Sequence, residues 1–480
     1  MNLSIVVFIL GWILVCEGAL MLFPTVVALI YAEPAGWSFL LTAAICALLG
    51  ILMTIRKPKN RMFYLREGFV ITAFSWLLIS IFGALPFLLT GAIRSPVDAL
   101  FETVSGFTTT GASILSDVEV LPRSLLFWRS FTHWLGGMGV LVFLLTLLPL
   151  AGGGSYTNLM KAESPGPQVE KLVPKIRHTA LILYGIYLGL TVIEIVILIC
   201  SKMPVFDALT LSFGTAGTGG FGIRNDSIAS YTAFQQDVIA VFMILFGVNF
   251  NFYFLMLLGK FKKAVMIEEI RWYFIIVFAA IAIITADIAA SVGSVFQSFR
   301  QALFQVGAVI TTTGYSTVDF DLWPNLSRTV LVMLMLVGAC AGSTGGGIKV
   351  SRLMLAVKSV KRELHCVLHP QSVRIVSMDG KRVPDSVVQS TNLFFSCYVM
   401  VFAISMLLIS LEGHDLVTNF TAVVATLNNI GPGLAMCGPT QNFGFFSDGS
   451  KLVMIFNMIA GRLELFPVLL LFSRETWRKF

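Results

Sequence analysis

Residues 95–113 read SPVDALFETVSGFTTTGAS, and residues 299–316 read FRQALFQVGAVITTTGYS. Two more stretches share this layout, MPVFDALTLSFGTAGTGGFG at 203–222 and TNFTAVVATLNNIGPG at 418–433. Each stretch begins with a short amphipathic run and ends in a turn that contains Gly together with Thr or Asn. Because a recurring unit sets the architecture of a chain, we interpret the four stretches as one repeated element.

The spacing within the stretches aligns one glycine in each of them. An Asp lies 13 residues before this glycine at 95–113 and 203–222, and an Ala or Asn lies 12 residues before it in the other two stretches. The aligned glycines are Gly111, Gly220, Gly314 and Gly431. The recurrence of TTTG at matching positions argues against outer loops with chance Thr and Gly. Glycines that only permit helix packing would lie on a helix face, whereas these follow the end of a short helix.

The composition of the 480-residue chain is that of a polytopic membrane protein. Hydrophobic residues make up 56% of it and charged residues 12%, whereas soluble proteins carry about 25% charged residues. This balance excludes a cytosolic enzyme and a secreted domain. The seven cysteines form no CxxC pattern and there are only five histidines, so neither a disulfide framework nor a zinc site is supported. The spans hold no nucleophile–base pair or ligand cluster, and we therefore expect no enzymatic activity.

Apolar runs of about 20 residues have the length of a membrane-spanning helix. The sequence contains about ten such runs, at 4–30, 37–55, 69–92, 125–149, 178–201, 232–259, 270–292, 328–358, 388–411 and 450–472. The first run has no Lys or Arg before it and is too long for a signal peptide, so we expect it to be a retained helix.

The distribution of Lys and Arg predicts the orientation of these spans. Of the 33 basic residues, 24 lie in every second loop or at the C-terminus, and such a bias marks the cytoplasmic side. Both termini are then cytoplasmic. The net charge of +7 has the same origin and does not indicate nucleic acid as a partner. The largest cytoplasmic loop, 349–387, is also the most basic, which makes it a candidate for binding membrane lipid or a soluble regulator.

The repeat divides the chain into five parts, an N-terminal two-helix extension and four repeats of helix, pore helix, filter and helix. The predicted extension is 1–56, and the predicted repeats are 57–160, 161–262, 263–387 and 388–480. Their predicted filter segments are, in the same order, 108–113, 217–222, 311–316 and 428–433. The expected fold is an all-α membrane protein with fourfold pseudo-symmetry, like that of a K⁺ channel.

Four glycine-containing turns that meet at one axis can hold a dehydrated cation. Backbone carbonyls are tolerated at membrane depth where they line a water-filled path, and they can replace the hydration shell of K⁺. Glycine permits the backbone angles that turn a carbonyl toward the axis, and we expect the flanking β-branched threonines to favour an extended path. The C-terminal ends of the four short helices would direct partial negative charge at the centre.

These motifs resemble those of the Trk/Ktr/HKT superfamily of potassium uptake proteins, and the extra N-terminal helix pair is similar to its bacterial TrkH-type branch. The motifs that carry the resemblance are GFTTTGAS (106–113), TGGFG (218–222), TTTGYS (311–316), NNIGPG (428–433), GSTGGGIK (342–349) and AGRLELFP (460–467). Their order extends the resemblance over essentially the whole chain.

The resemblance implies a K⁺ filter at defined residues. These are Thr109, Thr110 and Gly111, Thr218, Gly219 and Gly220, Thr312, Thr313 and Gly314, and Asn429, Ile430 and Gly431. Sodium-selective relatives carry serine at the position of Gly111, so the glycine favours K⁺. The fourth segment, with Asn-Ile-Gly, departs from the family pattern of Thr-Thr-Gly.

A break in the predicted span 328–358 is the candidate gate. Gly338 to Gly347 read GACAGSTGGG, and such residues cannot hold a continuous helix in lipid without help. The resemblance implies an intramembrane gate beneath the filter, formed by Gly338, Gly342, Ser343, Thr344, Gly345, Gly346 and Gly347. A packing kink is the alternative. A phosphate loop is not expected, because the GK[ST] ending and a preceding strand are both missing.

Arg462 is the lone charge deep in the last predicted span, with Glu464 two residues later. A charge at this depth usually faces the bundle interior, where it would raise the barrier for cations. The resemblance also implies an arginine near the gate. A structural pair with Glu464 or with the backbone is the alternative. We interpret His133 in a predicted span as a packing residue.

The resemblance implies a pore-forming subunit of a potassium uptake system in the bacterial inner membrane. K⁺ is the expected substrate, with Rb⁺ also admitted and Na⁺ less well, no covalent cofactor, and symport with H⁺ or Na⁺ left open. A homodimer and a cytosolic nucleotide-binding ring of the TrkA type are implied as partners, and nucleotide would act only through that ring. An alternating-access, cation-coupled secondary transporter is the alternative, but such folds pair inverted repeats, whereas the four repeats here share one orientation.

Overall fold

The computed structural model describes residues 2–58, 64–137, 139 and 176–478. Most of the second half of the predicted span 125–149 lies outside these residues, as does the first part of the predicted second repeat, 161–175. The described residues are mainly helical, and we number the helices in chain order within this part.

The N-terminal extension contains three helices, because the predicted run 4–30, which is still one candidate span, is divided at Met21. Its helices are α1 (Leu3–Leu20), α2 (Leu22–Ile30) and α3 (Gly36–Thr54). Helices α1 and α3 pack through glycines. A Cβ placed on Gly50 would lie 2.6 Å from the carbonyl oxygen of Gly11 and 2.7 Å from Cγ2 of Val15.

Four times in the rest of the described chain, a helix of 25 residues precedes a shorter one of 12 to 16. The first group is α4 (Leu65–Leu89), α5 (Pro96–Phe107) and α6 (Arg123–Gly137). The second group is α7 (Ile176–Cys200), α8 (Val205–Gly217), α9 (Ala233–Phe246), α10 (Phe250–Leu257) and α11 (Phe261–Val265).

The third and fourth groups carry additional short elements. The third is α12 (Glu268–Val292), α13 (Val295–Ile310), α14 (Asn325–Val337) and α15 (Val350–Leu368), followed by the hairpin strands β1 (Ser377–Met378) and β2 (Lys381–Arg382). The fourth is α16 (Asp385–Ile409), α17 (Leu416–Leu427), α18 (Asp448–Arg462), α19 (Phe466–Leu471) and α20 (Arg474–Trp477). Single 3₁₀ turns lie at Phe320–Leu322, Ser410–Glu412 and Ala435–Cys437.

Three of the four short helices begin at a polar cap, whereas α8 begins after Pro204 without one. The Ser95 hydroxyl accepts the Asp98 N–H at 3.3 Å at the start of α5, and the Asp415 carboxylate accepts the Thr418 N–H at 3.0 Å at the start of α17. Ser294 caps α13 in the same way. Such side chains satisfy backbone donors that have no partner within the helix, so the start of each of these helices is fixed locally.

Six helices of the described residues are long and apolar enough to cross a membrane, and a seventh span arises if the bent pair α9 and α10 is counted as one. The predicted run 232–259 is not straight, because α9 and α10 meet at 92°. The run 450–472 is interrupted at Glu464 and Leu465, which both have positive φ. The run 328–358 is interrupted between α14 and α15, where the glycine-rich break was predicted.

The contact between α1 and α3 provides a test of this packing. We expect Gly50→Leu to lower the free energy of unfolding by about 1–3 kcal/mol, the usual cost of overpacking, since its Cβ would meet the Gly11 carbonyl. Gly185→Leu on α7 is the matched control, because a Cβ there meets nothing within 4 Å. Thermal unfolding in detergent measures both variants, and equal midpoints would contradict the packing argument.

Candidate ion pathway

The same backbone conformation recurs at the end of each short helix. Thr109 has φ +56° and Gly111 has φ +80°. The other three segments repeat this pattern, with positive φ at Thr218 and Gly220, at Thr312 and Gly314, and at Asn429 and Gly431. The residue between them has no positive φ in any segment. Such alternation rotates successive peptide planes, so that neighbouring carbonyl groups can face one side.

The expectation that the threonines take an extended path is wrong at three positions. Thr109, Thr218 and Thr312 have φ between +54° and +60°, a region that β-branched residues avoid for steric reasons. A residue held in such a conformation costs about 1–3 kcal/mol and persists only where its surroundings fix it. The surrounding fold therefore holds these three residues in a conformation that they would not adopt by themselves.

The four segments close a ring in chain order. A Cβ placed on each aligned glycine would meet a backbone carbonyl oxygen of the next segment, and the fourth segment meets the first. The pairs, with the glycine first, are Gly111 and Gly219, Gly220 and Thr313, Gly314 and Ile430, and Gly431 and Thr110. The structure thus brings all four predicted filter segments together, and only a glycine leaves room for the neighbouring carbonyl.

A cavity of about 130 Å³ lies against this ring. All four aligned glycines line it, together with Arg129 of α6 and with residues of the outer loops that include Arg224. Among the described residues, no Asp or Glu lines this cavity. Asp117 instead accepts the Asn225 side-chain amide at 2.8 Å. The mouth is therefore formed mainly by backbone and neutral polar groups.

Arg224 at the rim binds Asp207 at 3.3 Å, and Tyr231 donates to the same carboxylate at 2.9 Å. Burial raises the pKa of Tyr231 above its ordinary value, and the Asp207 carboxylate raises it further. The phenol consequently remains a proton donor, which fixes the loop beside the cavity.

A buried ion pair that sequence reasoning missed supports the first two segments. Glu102 on α5 and Arg129 on α6 lie 2.7 Å apart, and both side chains are almost fully buried. The Glu102 carboxylate accepts the Ile114 N–H at 3.1 Å, while Arg129 donates to the Gly222 carbonyl at 3.2 Å. The sequence signal for this pair was the carboxylate of Glu102 within the amphipathic run before TTTG. Its partner Arg129 could not be assigned from the sequence, because it lies 27 residues away.

His133 packs behind the ring. Its Nδ1 lies 2.8 Å from the Gly106 carbonyl, which can only accept, so Nδ1 carries the proton. Its Nε2 then accepts the Phe221 N–H at 3.3 Å. Both ring nitrogens are satisfied in the neutral form, in agreement with the interpretation of His133 as a packing residue.

The fourth segment is braced differently from the first and third. Oγ1 of Thr108 lies 2.8 Å from Oγ1 of Thr110 within the first segment. The Asn429 amide instead donates to Oγ1 of Thr110 and to the Met458 carbonyl, both at 2.9 Å. The departure from the Thr-Thr-Gly pattern thus supplies a bond between the fourth and first segments.

The predicted gate residues lie against the other side of the ring. The Gly346 N–H donates to Oγ1 of Thr312 at 2.7 Å, and a Cβ on Gly345 would lie 2.9 Å from the Thr311 carbonyl oxygen. Gly338 and Gly347 have φ +72° and +77°. The loop between α14 and α15 therefore touches the third filter segment directly.

The remaining predicted gate residues are held within the loop or against α9 and α10. Oγ of Ser343 donates to the Cys340 carbonyl at 2.7 Å, and Oγ1 of Thr344 donates to the Phe246 carbonyl at 3.2 Å. Gly342 accepts the Phe250 N–H at 3.0 Å.

Arg462, the last residue of α18, reaches this loop. Its guanidinium donates to the Thr344 carbonyl at 3.0 Å and to the Gly137 carbonyl at 2.9 Å, and it also donates to Gly136. This is the backbone pairing that the sequence left as an alternative. Glu464 forms an ion pair with Arg352.

Two cations assigned to the basic cytoplasmic loop 349–387 lie elsewhere. Lys349 and Arg352 are buried, and Nζ of Lys349 donates to the Gly345 carbonyl within the gate loop. Their positions follow from the return of the chain into α15, which charge counting alone does not reveal. Arg462 and Lys349 therefore both place positive charge against the loop at 338–347.

Comparisons with known proteins agree with this geometry. The TrkH family, described as cation transport protein, matches residues 36–479. Trk system potassium uptake protein TrkH of Escherichia coli (strain K12) is 36% identical, with 100% of both chains covered. TrkG of the same strain is 33% identical, with 99% of each chain covered. The crystal structure of the potassium transporter TrkH from Vibrio parahaemolyticus matches with a TM-score of 0.89 and 34% identity over 100% of both chains.

The buried pair beside the ring yields a stability prediction. We expect Glu102→Ala to lower the free energy of unfolding by about 3–5 kcal/mol, because it leaves Arg129 buried without its counter-charge. Asp385→Ala is the control, since its ion pair with Arg362 is largely exposed and such pairs contribute about 1 kcal/mol or less. Thermal unfolding in detergent compares the two, and a smaller loss for Glu102→Ala than for Asp385→Ala would be inconsistent with a structural role for the pair.

Proposed function

Because the chain belongs to the TrkH family of cation transport proteins, we propose that its four glycine turns form the filter through which K⁺ enters the cell. The chain is the pore-forming subunit of a potassium uptake system. One observation carries the filter proposal. Each aligned glycine faces a carbonyl of the next segment, so that four segments surround one axis.

The physical basis of the filter is the replacement of hydration by carbonyl oxygens. The twelve residues predicted from the sequence supply these oxygens, since alternating φ lets adjacent carbonyls face the axis. The C-terminal ends of α5, α8, α13 and α17 precede the turns, and their dipoles favour a cation between them. Carbonyl oxygens coordinate the ion as it loses its hydration water, so the free energy of dehydration is offset. The filter therefore passes K⁺ and Rb⁺ and, less well, Na⁺.

The recurring order of long helix, short helix and positive-φ turn supports a fourfold repeat. We assign its units to 57–160, 161–262, 263–387 and 388–480, with 1–56 as an extension. On this assignment ten spans cross the membrane, some of them bent or interrupted. The strained, mutually braced ring fits a fixed channel-like pathway better than alternating access, in which a site must change its exposure.

The loop at 338–347 acts as the gate in this proposal. Its contact with Thr312 through Gly346 closes the inner side of the filter, and Arg462 holds it there through the Thr344 carbonyl. The guanidinium also places a positive charge on the path, which opposes the passage of K⁺ until the loop moves.

The family resemblance extends the proposal to location and partners. We place the chain in the bacterial inner membrane with both termini cytoplasmic, as a homodimer in contact with a nucleotide-binding ring of the TrkA type. Lys361 on α15 and Arg374, Lys381 and Arg382 after it are exposed, which leaves basic groups accessible to a soluble partner or to anionic lipid and supports this arrangement. Cross-linking of membranes and co-purification test the two partners.

A substitution in the ring tests the filter. Gly314→Ser should reduce K⁺ uptake about tenfold or more, because Gly314 has a positive φ and a Cβ there would meet the Ile430 carbonyl oxygen. A tenfold reduction corresponds to a rise of about 1.4 kcal/mol in the free-energy barrier to K⁺ passage. Gly91→Ser is the matched control, since Gly91 also has a positive φ but its Cβ would meet nothing within 4 Å. Complementation of a K⁺-uptake-deficient strain measures both. Normal growth of the Gly314→Ser strain at low K⁺ would exclude the filter assignment.

A change of the deep arginine tests the gate. Arg462→Ala should raise the open fraction or the unitary current of single channels about tenfold, because a positive charge and a bond to the loop are both removed. Arg462→Lys retains the charge and should stay closer to the wild type. Recordings from reconstituted protein separate the variants, and currents unchanged in Arg462→Ala would leave Arg462 with a purely structural role.

A further inference from the structure

Glu269 on α12 occupies a position that neither the filter nor the arginine explains. Its side chain is buried, with 3% exposure. Oε1 accepts the N–H of Ala341 at 2.7 Å and the N–H of Ser351 at 3.1 Å. Ala341 lies in the first half of the gate loop and Ser351 in the first turn of α15, so one oxygen joins the two ends of the break.

The second oxygen connects this point to a third element. Oε2 accepts the Asn249 side-chain amide at 3.4 Å, and Asn249 caps α10 at the 92° bend by accepting the Asn251 N–H at 3.0 Å. Backbone bonds reinforce the junction, because Cys340 donates to the Gly247 carbonyl at 3.1 Å. Glu269 therefore lies where the bent span, the loop and α15 meet.

The chemistry of the carboxylate fits this place. The first N–H groups of a helix have no partner within the helix, and an anion at a helix N-terminus is favourable. Hydrogen bonds to a charged acceptor are stronger than those between neutral groups. The Ala341 N–H is likewise in a segment without regular structure. A single buried charge thus satisfies donors that the broken helix would otherwise leave unpaired.

Different groups hold the two halves of the loop, and the second half is also bonded to the end of α9 through Oγ1 of Thr344 and the Phe246 carbonyl. The first half is fixed by Glu269 and by the bend at 247–250. The second half touches the filter through the Gly346 N–H and is held by Arg462 at Thr344. The base of the loop is closed by backbone bonds from Lys349 to Val337 and from Val350 to Ala339, at 3.0 and 3.1 Å.

We propose that Glu269 is the positioning residue of the gate, whose bonds to Ala341 and Ser351 hold the loop in its closed place and are broken when the gate opens. This inference rests on the proposed gating role of the loop. Loss of the anchor destabilises the closed arrangement and shifts the population toward the open one. The filter is not touched by Glu269, so conduction through an open pore stays the same.

Single-channel recording of the full-length protein in planar bilayers with KCl tests the proposal. Glu269→Gln keeps the shape and removes the charge, and it should raise the open fraction about tenfold, the result of a 1.4 kcal/mol shift in the equilibrium. The unitary current and the K⁺/Na⁺ reversal potential should not change. A variant that was merely unstable would instead show fewer channels with the wild-type open fraction.

Glu268→Gln is the matched control. Glu268 is the neighbouring residue on α12, and its carboxylate binds Lys358 at 2.6 Å and the Asp379 N–H at 3.4 Å, on the side away from the gate loop. Its open fraction should equal that of the wild type. An equal rise in both variants, or none in Glu269→Gln, overturns the proposal. Absence of K⁺ current from the wild type would instead contradict the pore function itself.

If Glu269→Gln does not accumulate in the membrane, the open fraction of Asn249→Ala is measured instead. This substitution removes the amide that supports Oε2 and should raise the open fraction about threefold, with an effect that is not additive to that of Glu269→Gln because the two groups are in contact. An Asn249→Ala variant with the wild-type open fraction would overturn the proposal.

Discussion

The interlocking of glycines and carbonyls around one axis is the constraint on which the structure depends. At Gly111, Gly220, Gly314 and Gly431 the space that a side chain would need is occupied by the backbone of the adjacent segment. The close approach brings oxygens of four segments together, and no single segment can achieve it alone. The short helices, their polar caps and the strained threonines all serve to hold this approach in place.

The distribution of neutral and charged groups around the ring follows the free-energy cost of burying each of them. The outer cavity is lined mostly by backbone and small residues, so in the proposed filter the carbonyl oxygens are the groups available to a cation. Buried charge is kept behind the ring in the pair of Glu102 and Arg129, or on the gate side with Arg462 and Lys349. Buried charges are stable only when paired or hydrogen bonded, and each of these groups has such partners.

The sequence predicted the ring well because its requirements are local. A positive φ and a close backbone approach demand glycine, and the spacing to the start of the short helix aligned the right glycine in each stretch. The break at 338–347 was also visible, since small residues cannot continue a helix. The left-handed threonines were missed, because β-branched residues avoid that conformation unless the surrounding fold imposes it. Glu102, Glu269, Lys349 and Arg352 were missed because their roles depend on partners that only folding brings near.

Diffraction from crystals grown in Rb⁺ instead of K⁺ tests the central claim most directly, since the anomalous signal of Rb⁺ locates the ion. The account predicts a peak on the axis between the four aligned glycines, within coordination distance of carbonyl oxygens from all four segments. A Rb⁺ peak that lies elsewhere along the chain, with the ring itself filled by side chains or water, would contradict it.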